Sequence, residues 1–299
     1  MRTIFFVIII FVIASCGRNR EVYDATGIFE ATEIIVSAEA SGKLMEFNVS
    51  EGQRIPAGEQ LGYIDTVQLH LRKKQLLASV DAVVSRSYDV AKQIAAIREE
   101  IATMQRERER TEKLIAANAA TGKQLDDINS RIAVLEKQLA AQRSTLESGN
   151  TSIARESAAL EIQVAQIDDQ LSKSRITSPI DGTVLVKYAE KGELTATGKP
   201  LFKVADTNNM ILRAYISAQQ LTQLKTGQGV AVFSDYGNAD TRRYEGVVTW
   251  ISDKSEFTPK TIQTPDERVN LVYAIKIAVK NDGLLKIGMY GDVQLKVEN

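Results

Sequence analysis

The sequence predicts an elongated α+β chain: a long antiparallel coiled-coil α-hairpin inserted in a β-sandwich, followed by a small β-barrel. Three observations predict it. A heptad pattern free of proline runs through the middle of the chain. Two glycine-bearing segments flank that stretch and match each other at a constant offset of 140 residues, as Gly182 stands to Gly42. After residue 206 the chain alternates apolar and polar positions in several short runs.

The chain begins with a processing signal. Arg2 supplies a positive n-region, and Ile4 to Ala14 is an unbroken apolar run of eleven residues. That is too short for a membrane-spanning helix and suits a signal h-region. The run ends in Ile13-Ala14-Ser15-Cys16, which resembles a bacterial lipobox. Cys16 is the single cysteine in the chain and the expected lipidation site; the alternative is a plain secretory signal with an incidental Cys. Two or more acyl chains hold a protein stably at a membrane. The mature chain would carry no other thiol and no disulfide.

Composition narrows the function classes. The 299 residues carry 37 basic and 38 acidic side chains, which leaves no surplus charge to neutralise phosphates and argues against nucleic acid as a partner. One His and one Cys leave no zinc site of the usual kind within a single chain. A nucleophilic triad would have to run through His70, which the sequence places near the base of the first helix, solvated and without a role. The expectation is a non-enzyme with no cofactor and no metal.

The hairpin is read from residues 67–173. The stretch contains no proline, one aromatic residue (Tyr88), and two glycines (Gly122 and Gly149), amid Ala, Gln, Glu, Arg, Leu and Ile. That is coiled-coil composition. Stepping alternately by four and three gives Leu76, Val80, Val83, Ser87, Val90, Ile94, Ile97, Ile101, Met104, Arg108, Thr111 and Ile115 without a slip. The same stepping later gives Leu125, Ile128, Ile132, Leu135, Leu139, Gln142, Leu146, Gly149, Ile153, Glu156 and Leu160, and Val164, Ile167 and Leu171 finish the helix. Such a 3.5-residue period makes a narrow seam against another helix. Between the halves, Asn118 closes the first helix in a left-handed conformation, and Thr121 with Gln124 forms a capping box that opens the second. Each arm is then about 50 residues, or about 75 Å. Gly149-Asn150 predicts a soft spot or mild bend in the second arm. Polar seam residues near the tip, Arg108 and Thr111, suggest that the tip meets something.

The flanking segments are a repeat. Gly42, Gly52 and Gly58 match Gly182, Gly192 and Gly198; Leu61 matches Leu201, and Ile64 matches Val204. The glycines are read as turns needing positive φ and the apolar runs between them as strands. Each segment resembles one half of a lipoyl/biotinyl-type sandwich. A true carrier domain would present a modifiable Lys beside Met at the joint between halves; here the coiled coil occupies that joint and no such motif is present. From 206 on, a short helix is expected over Ala218 to Leu224, and the strands around it suggest a small barrel.

Together these residues resemble the HlyD-type membrane fusion proteins, the periplasmic adaptor subunits of tripartite efflux and secretion systems. "SGKLMEFNVSEGQRIPAGEQLGYID" resembles the first half-lipoyl motif of that family, and "ITSPIDGTV…KGELTATGKPLFKVAD" the second. "LKIGMYGDVQL" is similar to the closing barrel strand, with Ile287 where Pro is usual. "EFTPKTIQTPDERVNLVYAIKI" resembles the YbhG-like branch, often found with ABC-type exporters.

The resemblance implies the following organisation. Residues 1–15 are a lipoprotein signal peptide and 16–35 an N-terminal anchor segment. Residues 36–66 and 174–206 form the split lipoyl-like domain, 67–173 the hairpin, and 207–299 the barrel and C-terminal strands. It implies a periplasmic, lipid-anchored protein of a Gram-negative bacterium, held at the inner membrane. It implies self-assembly as a hexamer or trimer of dimers. The implied partners are an inner-membrane transporter, ABC-type rather than RND or MFS, and a TolC-like outer-membrane channel. Family tips carry an Arg, a Leu four residues on and a Ser seven beyond; Arg110, Leu114 and Thr121 stand at those spacings, with Thr replacing Ser. Leu114 could instead pack in the seam, and Thr121 could serve only as a helix cap. The competing readings are a structural coiled-coil lipoprotein of the envelope and a lipoyl or biotinyl carrier subunit.

Overall fold

The computed structural model describes residues 23–235, 241–256 and 272–295. Cys16, the apolar run before it, and most of the branch-specific segment after Glu256 lie outside the described residues. The architecture is the expected one: an antiparallel helical hairpin projecting from a β-sandwich, with a β-barrel beyond.

The sandwich is assembled from the repeat. The first segment gives β2 (Gly42–Phe47), β3 (Arg54–Ile55) and β4 (Gln60–Ile64); the second gives β5 (Arg175–Thr177), β6 (Gly182–Lys187), β7 (Leu194–Thr195) and the start of β8 (Pro200–Ser217). The halves exchange their short strands. Arg54 and Ile55 pair with Thr183 and Gly182, while Leu194 and Thr195 pair with Lys43 and Gly42. The turn bonds obey the same exchange: Gly52 N donates to Val184 O at 2.9 Å and Gly192 N to Leu44 O at 2.8 Å. Matching residues meet in one core, where Leu44 and Val184, Val49 and Ala189, Leu61 and Leu201, and Ile64 and Val204 are all buried. Each half pairs two of its own strands, β2 with β4 and β6 with β8, but the core and the short-strand pairings are shared, so the joint between the halves can hold a long insertion without loss of the fold.

Gly52, Gly58, Gly192 and Gly198 occupy turns at φ of 80°, 78°, 95° and 87°. Gly42 and Gly182 correct the reading of all six as turns: they open strands β2 and β6. Gly42 keeps the expected positive φ, at 157°, whereas Gly182 does not, and both also need space. A Cβ on Gly182 would lie 2.5 Å from Ala205 O, and one on Gly42 would lie 2.8 Å from Ile64 Cγ2.

The barrel corrects the expected boundaries. β1 (Ala25–Ser37) begins inside the segment assigned to an anchor at 16–35. Its first half pairs with β12 (Tyr290–Gln294) and with the end of β8, and its second half pairs with the start of β8 in the sandwich. A register shift between Glu30 and Thr32 marks the passage. With β9 (Gly229–Asp235), β10 (Thr241–Glu256) and β11 (Val272–Lys280), the order β1-β12-β9-β10-β11-β8 closes through the β1–β8 pairing. The barrel therefore takes a sixth strand from outside 207–299. Strands β1 and β8 run through both β-domains, so no flexible linker separates the two. The short helix, α4 by chain order, covers Ala218–Leu221 and ends before the expected Leu224.

The hairpin has three helices: α1 (Val67–Val84), α2 (Val90–Ala116) and α3 (Gly122–Lys173). The expected seam holds along most of its length, with Val83, Ile94, Ile101 and Thr111 buried against Ile132, Leu135, Leu146 and Ile167. Gln142 and Glu156 are exposed, and Ser157 takes the seam position expected for Glu156. The continuous first arm is corrected as well. It stops at Val84 and restarts at Val90, where Asp89 caps α2 by accepting from Lys92 N at 3.1 Å. The Lys92 backbone N–H, followed by its ammonium, holds the Asp89 carboxyl below the usual carboxylate range. The second arm, where a soft spot was expected, is one unbroken 52-residue helix. Inter-arm ion pairs run up the rod, Lys73–Asp168 at 2.6 Å, Arg86–Glu156 at 2.7 Å and Arg131–Glu100 at 2.6 Å. Exposed pairs of this kind set register more than stability, at up to about 1 kcal/mol each.

Candidate functional site

The end of the hairpin is built by two capping motifs. Asn118 has φ of 61°, and around it Ala119 N donates to Leu114 O at 2.8 Å and Asn118 N to Ile115 O at 2.9 Å. This is a Schellman closure with Asn in the position usually held by Gly. Thr121 then opens α3 in the expected capping box, its backbone N donating to Gln124 Oε1 at 3.0 Å. The chain reverses in five residues with its helix-end groups largely satisfied locally.

Heptad phase decides what the tip presents. Arg108, Thr111 and Ile115 are turned toward α3, so Arg110 and Leu114, four residues apart, share an outward face of α2. Arg110 is 74% exposed, with only a 4.0 Å contact to Glu107 Oε2. Leu114 is 40% exposed, too open for a seam residue such as Leu135 at 1%. Thr121 stands across the turn, exposed, at the N-cap of α3, where its backbone carbonyl accepts from Gln124 N at 3.1 Å. The structure thus places Arg110 and Leu114 on one surface at the tip and gives Thr121 a structural duty beside them.

The polar seam near the tip is satisfied within the hairpin at Thr111 but not at Arg108 Nε. Thr111 Oγ1 donates to Glu107 O at 2.9 Å, and Arg108 Nε lies 3.8 Å from Glu112 Oε1 without a hydrogen bond. The hairpin ends in a small contact surface that mixes apolar and charged side chains, Glu109, Glu112 and Asp126 among them. Lys113 and Lys123 flank it and add positive charge, a feature that the three-residue spacing alone did not single out. Elsewhere, His70 is exposed at the base of α1, its Nδ1 3.0 Å from Thr66 O. Among the described residues no helix is long and apolar enough to cross a membrane.

Known proteins share this architecture. The barrel-sandwich hybrid domain of RND-type membrane fusion proteins matches residues 32–207, the span that holds the sandwich and the inserted hairpin. A UPF0194 membrane protein of Yersinia enterocolitica is 30% identical over 315 aligned residues, covering 95% of this chain and 94% of that protein. A UPF0194 membrane protein of Yersinia pestis is 31% identical over 273 residues, covering 83% and 82%. Among solved structures, MacA from Actinobacillus actinomycetemcomitans superposes with a TM-score of 0.52 at 22% identity, over 91% of this chain and 78% of that one. The membrane fusion protein Spr0693 of Streptococcus pneumoniae R6 does so with a TM-score of 0.51 at 19% identity, over 92% and 98%. These two share the fold. With a domain match over more than half its length and a 30%-identical relative covered almost end to end, this chain belongs to the membrane fusion protein family of the HlyD type.

Proposed function

We propose that this protein is a non-catalytic periplasmic adaptor that links an inner-membrane exporter to a TolC-like outer-membrane channel for efflux or secretion. The observation that carries the reading is the tip. A hairpin about 78 Å long, from 52 residues of α3, ends in Arg110 and Leu114 facing away from their own seam. An Arg fork there suits carboxylates and carbonyls of a partner, and a neighbouring Leu supplies the apolar part of a contact. Thr121 contributes the cap that fixes their setting.

Acylation of Cys16 would hold the opposite end at the inner membrane, since the barrel strand β1 begins only nine residues later. The sandwich and barrel, joined through β1 and β8, would pack side by side with further copies into a ring, a hexamer or trimer of dimers. The transporter is taken as ABC-type, on the resemblance of the segment from Glu256 to the YbhG-like branch. The test is export by an Arg110→Asp chain. Arg110 touches little, so the substitution costs under about 0.5 kcal/mol of stability. Export falls while the melting curve is unchanged; full export with normal channel crosslinking would place docking elsewhere.

A further inference from the structure

The interruption in the first arm lies opposite Gly149 and Asn150, where the interior glycine of α3 is followed by a second poor helix former. Tyr88, the one aromatic residue of the hairpin, sits between α1 and α2. Its backbone N–H donates to Asn150 Oδ1 at 2.8 Å, and its backbone carbonyl accepts from Asn150 Nδ2 at 2.9 Å. One amide side chain thus satisfies both backbone groups of one residue in the other arm. The Tyr88 ring fills the place that any larger residue at 149 would need: a Cβ there would lie 2.9 Å from Tyr88 Cε2 and 3.3 Å from Cδ2. Arg86–Glu156 at 2.7 Å closes the base side.

We propose that Tyr88, Gly149 and Asn150 form a pinned joint at which the distal hairpin bends relative to its base without the arms losing register. A two-helix rod resists bending because both hydrogen-bond ladders must deform. At this level one arm has no α-helical ladder: Arg86 N and Ser87 N bond three residues back, to Val83 O and Val84 O, and α2 starts anew at Val90. The other arm presents Gly and Asn, where a helix bends at least cost. Apart from the Tyr88 ring, no apolar side chain is buried between the arms from Val83 to Val90 in the first arm or from Leu146 to Ile153 in the second. Sliding is the motion that remains resisted, because the Asn150 amide fixes Tyr88 along the rod and Gly149 receives its ring. The lever is long. α2 extends about 40 Å beyond the joint, so a bend of about 20° would carry the tip about 14 Å sideways. The joint lets the tip search for its contact while Arg110, Leu114 and Thr121 keep their mutual setting.

The inference does not depend on what the tip meets, and its test uses the full chain alone. Amide residual dipolar couplings from residues 124–146 and 152–171 of α3 are expected to need alignment tensors of different magnitude. A single tensor fitting both sets would mean a rigid rod and would overturn the proposal. Hydrogen exchange tests the pin. In the wild type, amides of 85–92 and 147–154 exchange at least about tenfold faster than those of 94–104 and 128–140. Asn150→Ala raises exchange at 86–92 by about another tenfold and leaves 122–140 unchanged, and Asn150→Asp, which keeps the acceptor, falls between. Exchange rising equally along the whole hairpin, or collapse of the hairpin in Asn150→Ala, would make Asn150 a general stability residue and refute a local joint.

Discussion

Two leucines in the hairpin separate structural from contact duty. Leu135 is 1% exposed in the middle of the seam, and Leu114 is 40% exposed on the outward face of the tip. Truncating a fully buried Leu to Ala costs about 2–5 kcal/mol, and Leu135, enclosed by the facing helix, is expected near about 3. Leu114 has given up much less contact with water, and on area alone Leu114→Ala costs about 1 kcal/mol. The difference of about 2 kcal/mol is roughly a thirtyfold change in the unfolding equilibrium. Urea titration followed at 222 nm, where the hairpin dominates, measures both variants. Crosslinking to the channel gives the opposite ranking: Leu114→Ala loses yield, and Leu135→Ala keeps it below its own unfolding transition. Equal destabilisation by the two substitutions, or a Leu114→Ala chain that docks normally, would refute the assignment of Leu114 to an outward contact.

Other predictions probe the remaining parts. Gly182→Ala, which drives a Cβ to 2.5 Å from the Ala205 carbonyl, is expected to cost about 3 kcal/mol, read in the same titration by near-ultraviolet circular dichroism. Gly122→Ala, in the first turn of α3 with nothing within 4 Å of the added Cβ, is expected to stabilise by about 0.5–1 kcal/mol. Cys16→Ala is expected to move the protein from the membrane fraction to the soluble fraction or to block its processing, and unchanged fractionation would remove the lipid anchor. Charged substitutions at Ile35, 53% exposed on the outer face of β1, test the lateral packing: they should dissociate the ring and abolish export without unfolding the monomer.

The features legible in the sequence were those set by short-range periodicity. Ile94, Ile101, Ile132 and Leu135 announce the seam because burial every 3.5 residues is written locally. The six glycines and their apolar neighbours announce the sandwich because its halves repeat one short solution. The sixth barrel strand was not legible. Ala25–Glu30 alternates much as any strand does, and its partners Tyr290–Val293 and Leu212–Tyr215 lie far along the chain. The break at 85–89 was hidden for a different reason. Val83 and Val90 are seven residues apart whether a helix or a turn joins them, so the heptad count passes through the gap unchanged. A signal was nevertheless present: the lone aromatic of the hairpin and its one interior glycine stand nearly equidistant from Asn118, as two facing residues of a hairpin must. The heptad phase, which skips positions 110 and 114, was enough to settle the outward setting of Leu114 that the family spacing left open, whereas the structural duty of Thr121 followed from its capping partner Gln124.

The central claim, that the hairpin tip is the channel-docking end, is tested most directly by a photo-crosslinking residue placed at position 114 in cells, with position 162 as control. Ile162 is 62% exposed, on the same hairpin but near its base. The account predicts a crosslink from position 114 to an outer-membrane channel protein, lost when Arg110→Asp is added, and none to that protein from position 162. A channel crosslink from 162 with none from 114, or tip crosslinks to the inner-membrane transporter instead, would contradict it.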